Sequence, residues 1–245
     1  MKKLVLTASA ITSLAISQLS FAAYPEKSIR LVVPFATGGT SEIVARSVAN
    51  SLSTSLGQSV YVDNKPGGAG NIAMEEVKRA NPDGYTLILG HVGTLAVNPA
   101  LFGSKLPYDP NKDFAPVTLV AKVPNVIAVS SKSSFKTLAD LVADAKKNPG
   151  KINYGSAGNG SAGHLAMEYF SAVAGIDLVH VPYKGSGPML TDLIGGQIQA
   201  TFNGLPSLMG QISGGALRPL AVGSAERSKV LPKVPTIAES GYKGF

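Results

Sequence analysis

The stretch Ile29 to Leu56 reads IRLVVPFATGGTSEIVARSVANSLSTSL. Its first seven residues form a near-continuous apolar run, the pattern of a strand buried on both faces. Thr37-Gly38-Gly39-Thr40-Ser41 follows as a glycine turn with hydroxyls, and then Val44, Val48, Leu52 and Leu56 recur every four residues on one helical face. The same strand, glycine turn and helix recur down the chain. Val60 to Val62 and Thr86 to Leu89 read as strands, and between them Asn64-Lys65-Pro66-Gly67-Gly68-Ala69-Gly70 is a loop opening a helix near Asn71. Leu138, Leu141, Val142 and Ala145 mark a helix that ends before Asn148-Pro149-Gly150. Ile152 to Gly155 is a strand, followed by a Gly/Ser loop and a helix with Leu165, Tyr169, Phe170 and Val173 inward. Leu178 to Tyr183 and Ala200 to Asn203 are strands around a helix carrying Met189, Leu190, Leu193 and Ile194. Strands alternating with crossover helices predict an α/β fold with mostly parallel sheets.

The segment Pro99 to Pro116 is rich in proline and poor in periodicity, so it reads as a surface connector. Two extended segments, Val117 to Val120 and Asn125 to Ser130, come next, and the apolar run Leu217 to Val222 is suited to crossing back. The pattern favours two α/β lobes joined by a pair of extended crossings. The expected division is a signal peptide at 1–22, a first lobe at 23–122, a second lobe at 123–221 and a return to the first lobe at 222–245. Lys2 and Lys3, the apolar stretch Leu4 to Leu19, and small residues at Ser20 and Ala22 form the signal-peptide pattern and predict export.

The 245 residues are 44% hydrophobic and 15% charged, which supports a substantial core and argues against disorder. Cysteine is absent, excluding a disulfide framework, thiolate catalysis and cysteine-ligated zinc. Without the two signal-segment lysines the formal charge is 20 − 15 = +5. The basic residues are scattered rather than gathered with aromatics, so nucleic acid is not an expected partner. A dilute positive field favours small anions.

In open α/β sheets, chemistry sits at the carboxyl ends of the strands, where helix N-termini present free N–H groups to anions. Three glycine loops occupy such places: Thr37 to Ser41, Pro66 to Asn71 and Ser156 to Ser161. Each alone reads as a plain turn; three donor-rich loops with almost no acidic residue among them point to an anion site. The phosphate loop G-x-x-x-x-G-K-[ST] is absent, and Gly155-Ser156-Ala157-Gly158-Asn159-Gly160 has the wrong spacing for a dinucleotide fingerprint. Ser161 and His164, one helical turn apart, leave open a secreted hydrolase-like enzyme, although the G-x-S-x-G elbow is missing and a triad also needs an orienting carboxylate. The competing account is that Ser161 caps its helix and His164 packs or hydrogen-bonds beside the cleft. His91, His164 and His180 are the only histidines and are too scattered to predict a metal site; no cofactor is expected.

The chain resembles the Bug family, the extracytoplasmic solute receptors of tripartite tricarboxylate transporters. The resemblance runs from the signal peptide to Phe245. It rests on Tyr24-Pro25 to Pro34-Phe35 with Gly38-Gly39 and Ala45-Arg46, on Asn64 to Gly70, and on Asn81-Pro82-Asp83-Gly84-Tyr85-Thr86-Leu87. It continues through Leu106-Pro107-Tyr108-Asp109-Pro110 with Asp113-Phe114, Asn153 to Ser161 with His164-Leu165, Val181-Pro182-Tyr183-Lys184-Gly185, and Leu231-Pro232-Lys233-Val234-Pro235-Thr236. It implies a two-lobed periplasmic-binding-protein-like fold of type II, each lobe a mostly parallel sheet flanked by helices. It also implies a periplasmic receptor, not an enzyme, that captures a small organic anion, usually a carboxylate, and delivers it to the transporter's membrane subunits. In the family the loops matching Thr37 to Thr40 and Ser156 to Ser161 face each other across the cleft, and the loop matching Gly67 to Gly70 adds to the first-lobe wall. The resulting candidate ligand-binding set is Thr37, Gly38, Gly39, Thr40, Gly68, Ala69 and Gly70, then His91 and Thr94, with Ser156, Ala157, Gly158, Gly160, Ser161, His164 and Asn203 from the second lobe.

Three departures from the family carry expectations. Glu42 stands where the family has Asp, and a longer side chain caps a first turn less well. Asn203 is neutral where the family often has Asp, which disfavours an amino-acid ligand. Family members continue past the position of Phe245 through further helices of the first lobe, so an incomplete first lobe is expected.

Overall fold

The run at Ile29 becomes the middle strand of a sheet: β1 (Ile29–Val33) lies between β2 (Val60–Asn64) and β3 (Thr86–Ile88), and both neighbours run parallel to it. A computed structural model describes residues 24–245, so the expected signal peptide lies outside the described residues. Ile29, Leu31 and Val33 pack with Ala45 and Ala49 of α1 (Thr40–Leu56), while Val32 on the opposite face is equally buried. The inward face of α1 is rotated from the expected one: Ala45 and Ala49 are buried, Val44, Val48 and Leu52 half-buried, and Leu56 exposed. A spacing of four drifts around a helix of 3.6 residues per turn, and alanine lets the helix lie close to the sheet. The lobe is completed by α2 (Asn71–Lys78), a π-helical turn at Gly93–Val97, and α3 (Asn98–Phe102). The last of these lies within the expected surface connector, which also contributes Tyr108, buried at 4% exposure.

Residues 115–124 cross without regular structure to a second sheet. Its strands are β4 (Asn125–Ser130), β5 (Asn153–Ser156), β6 (Val179–Pro182), β7 (Ala200–Gly204) and β8 (Leu217–Val222), ordered β6-β5-β7-β4-β8. Only β4 runs against the rest. Helices α4 (Leu138–Lys147) and α5 (Ala162–Ala174) cover one face through Leu141, Met167 and Phe170, packed on Ile127, Tyr154 and Phe202. The other face is covered by α6 (Ser186–Gly195) and α7 (Leu205–Ser213) through Met189, Leu193 and Leu208, packed on Val126 and Ala128. In α5 the inward residues are Met167, Phe170 and Ala174; Tyr169 and Val173, expected inward, are exposed.

Residues of the segment 222–245 pack on the second sheet. Val222 bridges to Thr236, Ile237 is buried beside Phe170 and Phe202, and the Tyr242 and Phe245 rings lie against Phe170. Those apolar side chains find their cover on the second sheet, and the run Leu217 to Val222, expected to cross back, is an edge strand paired with β4.

Candidate functional site

Because β1, β2 and β3 are parallel, the loops leaving their C-terminal ends lie along one edge of the first sheet; the loops after β5, β6 and β7 do the same in the second lobe. The first edge is stitched by side-chain amides. Asn64 Nδ2 donates to Phe35 O at 2.9 Å, and Asn98 Nδ2 donates to Ala69 O at 3.0 Å and Asn71 Oδ1 at 2.7 Å. Tyr108 Oη donates to Thr94 O at 2.6 Å, and the Thr94 hydroxyl bonds the backbone of His91 in both directions. Gly68, Ala69 and Gly70 thus stand behind the edge, against Pro34, Ile72 and Thr94; Ala69 adopts φ 57°, a strained value for a residue with a Cβ.

Glu42 closes the first loop rather than loosening it. Its Oε2 accepts the Gly38 N–H at 2.6 Å while Oε1 accepts from Arg46 Nε at 2.8 Å. The side chain thus reaches back over one turn to the loop backbone while its second oxygen holds Arg46. The first bond of α1 runs from Ile43 N–H to Gly39 O, so the N–H groups of Thr40, Ser41 and Glu42 have no acceptor within the helix.

In the second lobe, the Ser156 to Ser161 loop is tied into itself. Ser156 Oγ accepts the Gly158 N–H at 3.1 Å and bonds His180 Nε2 at 2.7 Å. The Gly160 N–H donates to His164 Nδ1 at 3.2 Å, and Ser161 Oγ caps α5 by accepting the His164 N–H at 3.4 Å. The hydroxyls of Ser156 and Ser161 and the N–H groups of Gly158 and Gly160 therefore have partners within the lobe, whereas those of Ala162 and Gly163 open α5 with no helical acceptor. Asn203, buried at the end of β7, donates to Ser207 Oγ at 3.3 Å. The Ser161 hydroxyl does not meet the His164 ring: each is committed to the backbone, as capping requires, and no Ser161/His164 nucleophile–base pair forms. Ser156 does meet His180, but the neighbouring carboxylate, Glu168, bonds Tyr154 Oη at 2.5 Å instead of orienting that ring.

The two edges touch at two places. The Thr37 to Thr40 loop meets Lys184 to Gly187 and Gly204: Ala36 N–H donates to Lys184 O at 3.0 Å, and Thr40 Oγ1 donates to Gly204 O at 3.2 Å. A Cβ on Gly187 would lie 2.5 Å from Thr37 O, so only glycine permits this approach. The second contact joins the His91 to Asn98 turn to the Ser156 to Ser161 loop, where a Cβ on Gly93 would lie 2.6 Å from Gly160 O. The fully buried Asn98 faces Gly160 there, with its Oδ1 unpartnered. Sequence reading missed Asn98, Ser186, Gly187 and Gly204. Tyr183-Lys184-Gly185-Ser186-Gly187 carries the same signal as the three chosen loops, a strand entering a helix through glycine, and could have been found by it.

Burial governs the histidines. His91, whose Nδ1 accepts the Gly93 N–H at 3.0 Å, is lowered to about 4 by desolvation. His180 is lowered to about 4 by burial and by neighbouring His164, against the pull of Glu168. His164 is lowered by burial, with Glu168 opposing.

A model of the tripartite tricarboxylate transporter family receptors matches residues 44–245. The chain belongs to this family. Among curated relatives of these receptors, protein BugT of Bordetella pertussis is 39% identical over 223 residues, covering 91% of this chain and 68% of BugT. The chain spans about two thirds of the length of the curated relatives it matches. Two solved structures share the fold. One, described as a periplasmic transporter, is 49% identical with a TM-score of 0.87, covering 90% of this chain and 73% of its own. The other, R. palustris Rpa4515 with adipate, is 42% identical with a TM-score of 0.88, covering 91% and 74%.

Proposed function

We propose that this chain is an exported receptor that holds a small organic carboxylate, best a dicarboxylate, between its two lobes and hands it to the membrane subunits of a tripartite tricarboxylate transporter. The observation that carries this reading is the meeting of helix N-termini at the lobe junction. The openings of α1 and α6 lie against each other through Gly38, Gly39, Ser186 and Gly187, beside the hydrogen bond from Thr40 Oγ1 to Gly204 O. Free N–H groups and the positive ends of helix dipoles favour an anion in such a place. Glu42, the buried carboxylate of the first loop, is held by Gly38 N–H and Arg46, which leaves the donors on the cleft side unopposed. Neutral donors hold an anion reversibly, which suits a carrier. Adipate on a relative of 42% identity supports the ligand class.

A thermal-shift screen of mono-, di- and tricarboxylates tests the proposal. A ligand that binds only the folded state raises the melting temperature, by about 2.7 kcal/mol of stabilisation at a hundredfold excess over Kd. Adipate and similar dicarboxylates are expected to give the largest rise; no rise with any carboxylate at millimolar concentration would overturn the reading.

A further inference from the structure

Behind the Ser156 to Ser161 loop, two imidazoles lie face to face. The His164 and His180 rings have centroids 4.0 Å apart and planes 28° from parallel, and Tyr154 also stacks on His180 at 4.9 Å. Each ring holds one point of the loop. His164 Nδ1 takes the Gly160 N–H; His180 Nε2 bonds Ser156 Oγ, which in turn takes the Gly158 N–H. Gly160 is also where the loop meets the first lobe, against Gly93 and Asn98. A continuous chain therefore runs from the imidazole pair through the loop backbone to the lobe junction. Tyr154 from β5, His180 from β6 and His164 and Glu168 from α5 are the titratable groups gathered there, and Glu168 is engaged by Tyr154 Oη.

We propose that the stacked His164–His180 pair positions the second-lobe loop for its ligand, and that the loop keeps its shape only while both rings are neutral. The inference rests on the receptor reading for its ligand, but the loop geometry stands without it. A protonated His164 carries hydrogen on both nitrogens and no longer accepts from Gly160. Two charged rings 4.0 Å apart repel each other. Burial already disfavours the charged forms, so the pair stays neutral near pH 7 and the device acts on acidification.

The test has two arms on the full chain. In the first, NMR follows the imidazole resonances and the Gly160 amide of the wild type without ligand from pH 7 to pH 4. The amide is expected to shift with the midpoint of the ring titration; an amide that stays still while the rings protonate overturns the proposal. In the second, adipate affinity is measured by calorimetry over the same range for the wild type, His164→Asn, His164→Ala and the pair His164→Asn/His180→Phe. Asn offers an acceptor to Gly160 and cannot titrate, so His164→Asn is expected to bind at least threefold tighter than His164→Ala at pH 7. The ratio of wild-type to double-variant affinity is expected to fall at least twofold between pH 7 and pH 4, a comparison that cancels the ligand's own protonation. Superimposable pH profiles would place the sensitivity elsewhere, for instance at His91, and overturn the proposal. If adipate binds no variant and no wild type, the receptor reading fails, and the amide titration still decides the loop.

Discussion

Ser156 and Ser161 carry the same hydroxyl to opposite ends of one loop, and each accepts a backbone N–H of its own lobe. Ser161 caps α5 through the His164 N–H, and Ser156 links Gly158 to His180. Replacing a serine N-cap with alanine costs about 0.5–2 kcal/mol. Ser161→Ala is therefore expected to lower unfolding stability by about 1 kcal/mol, seen as a lower denaturation midpoint with an unchanged denaturant slope. An unchanged midpoint would show that the cap carries no stability. Residue types and spacing made this capping role legible in the sequence. Other residue roles were not legible: Asn98 and the reach of Glu42 back to Gly38 depend on side-chain paths set by tertiary packing. His180 and His164, sixteen residues apart and on different elements, become neighbours only because β6 pairs with β5 beneath α5.

Among the elements, the strands and the glycine turns that follow them were the most legible, because burial on both faces writes a continuous apolar run, as at Ile29 to Val33. Helix faces were less so: α1 turns alanines inward where valines were expected, and α7 went unread because its pattern merges with the end of β7. The helix most consequential for the site is α6. Its second residue, Gly187, sits against Thr37 O. Alanine is favoured over glycine inside a helix by about 0.5–1 kcal/mol, so Gly187→Ala should not weaken α6 itself. The added Cβ nevertheless collides with the first lobe and must push the two edges apart. The expected signature is adipate binding weakened at least tenfold while the unliganded protein remains folded. Undiminished affinity would mean that this contact does not close around the ligand.

At the scale of the whole molecule, the two-lobed plan was read from alternation and from the proline-rich crossing. The fate of residues 222–245 was not, because nothing local in Ile237, Tyr242 or Phe245 says which sheet they cover. The histidines add a property of the entire fold. In the unfolded chain they take up protons near pH 6.5, whereas folded His91 and His180 do so only near pH 4. The folded state then binds fewer protons between those values, so stability is full above about pH 6.5 and is lost as pH falls towards 4. At about 1.4 kcal/mol per pH unit of displacement, His91 alone is expected to remove on the order of 3 kcal/mol. Asp113, Asp140 and Glu239 are held below the usual carboxylate range by their hydrogen-bond partners, so their loss comes at lower pH. Denaturant unfolding at pH 7, 5.5 and 4.5 checks this; a flat profile would show that the histidines are not held neutral by the fold.

The central claim is that a carboxylate is held between the lobes and released unaltered, and titration calorimetry with adipate followed by mass analysis of the recovered ligand tests it most directly. Saturable binding with one site per chain and adipate recovered at its original mass is the predicted result. Absence of a binding heat together with no thermal shift, or recovery of a chemically altered ligand, would contradict it.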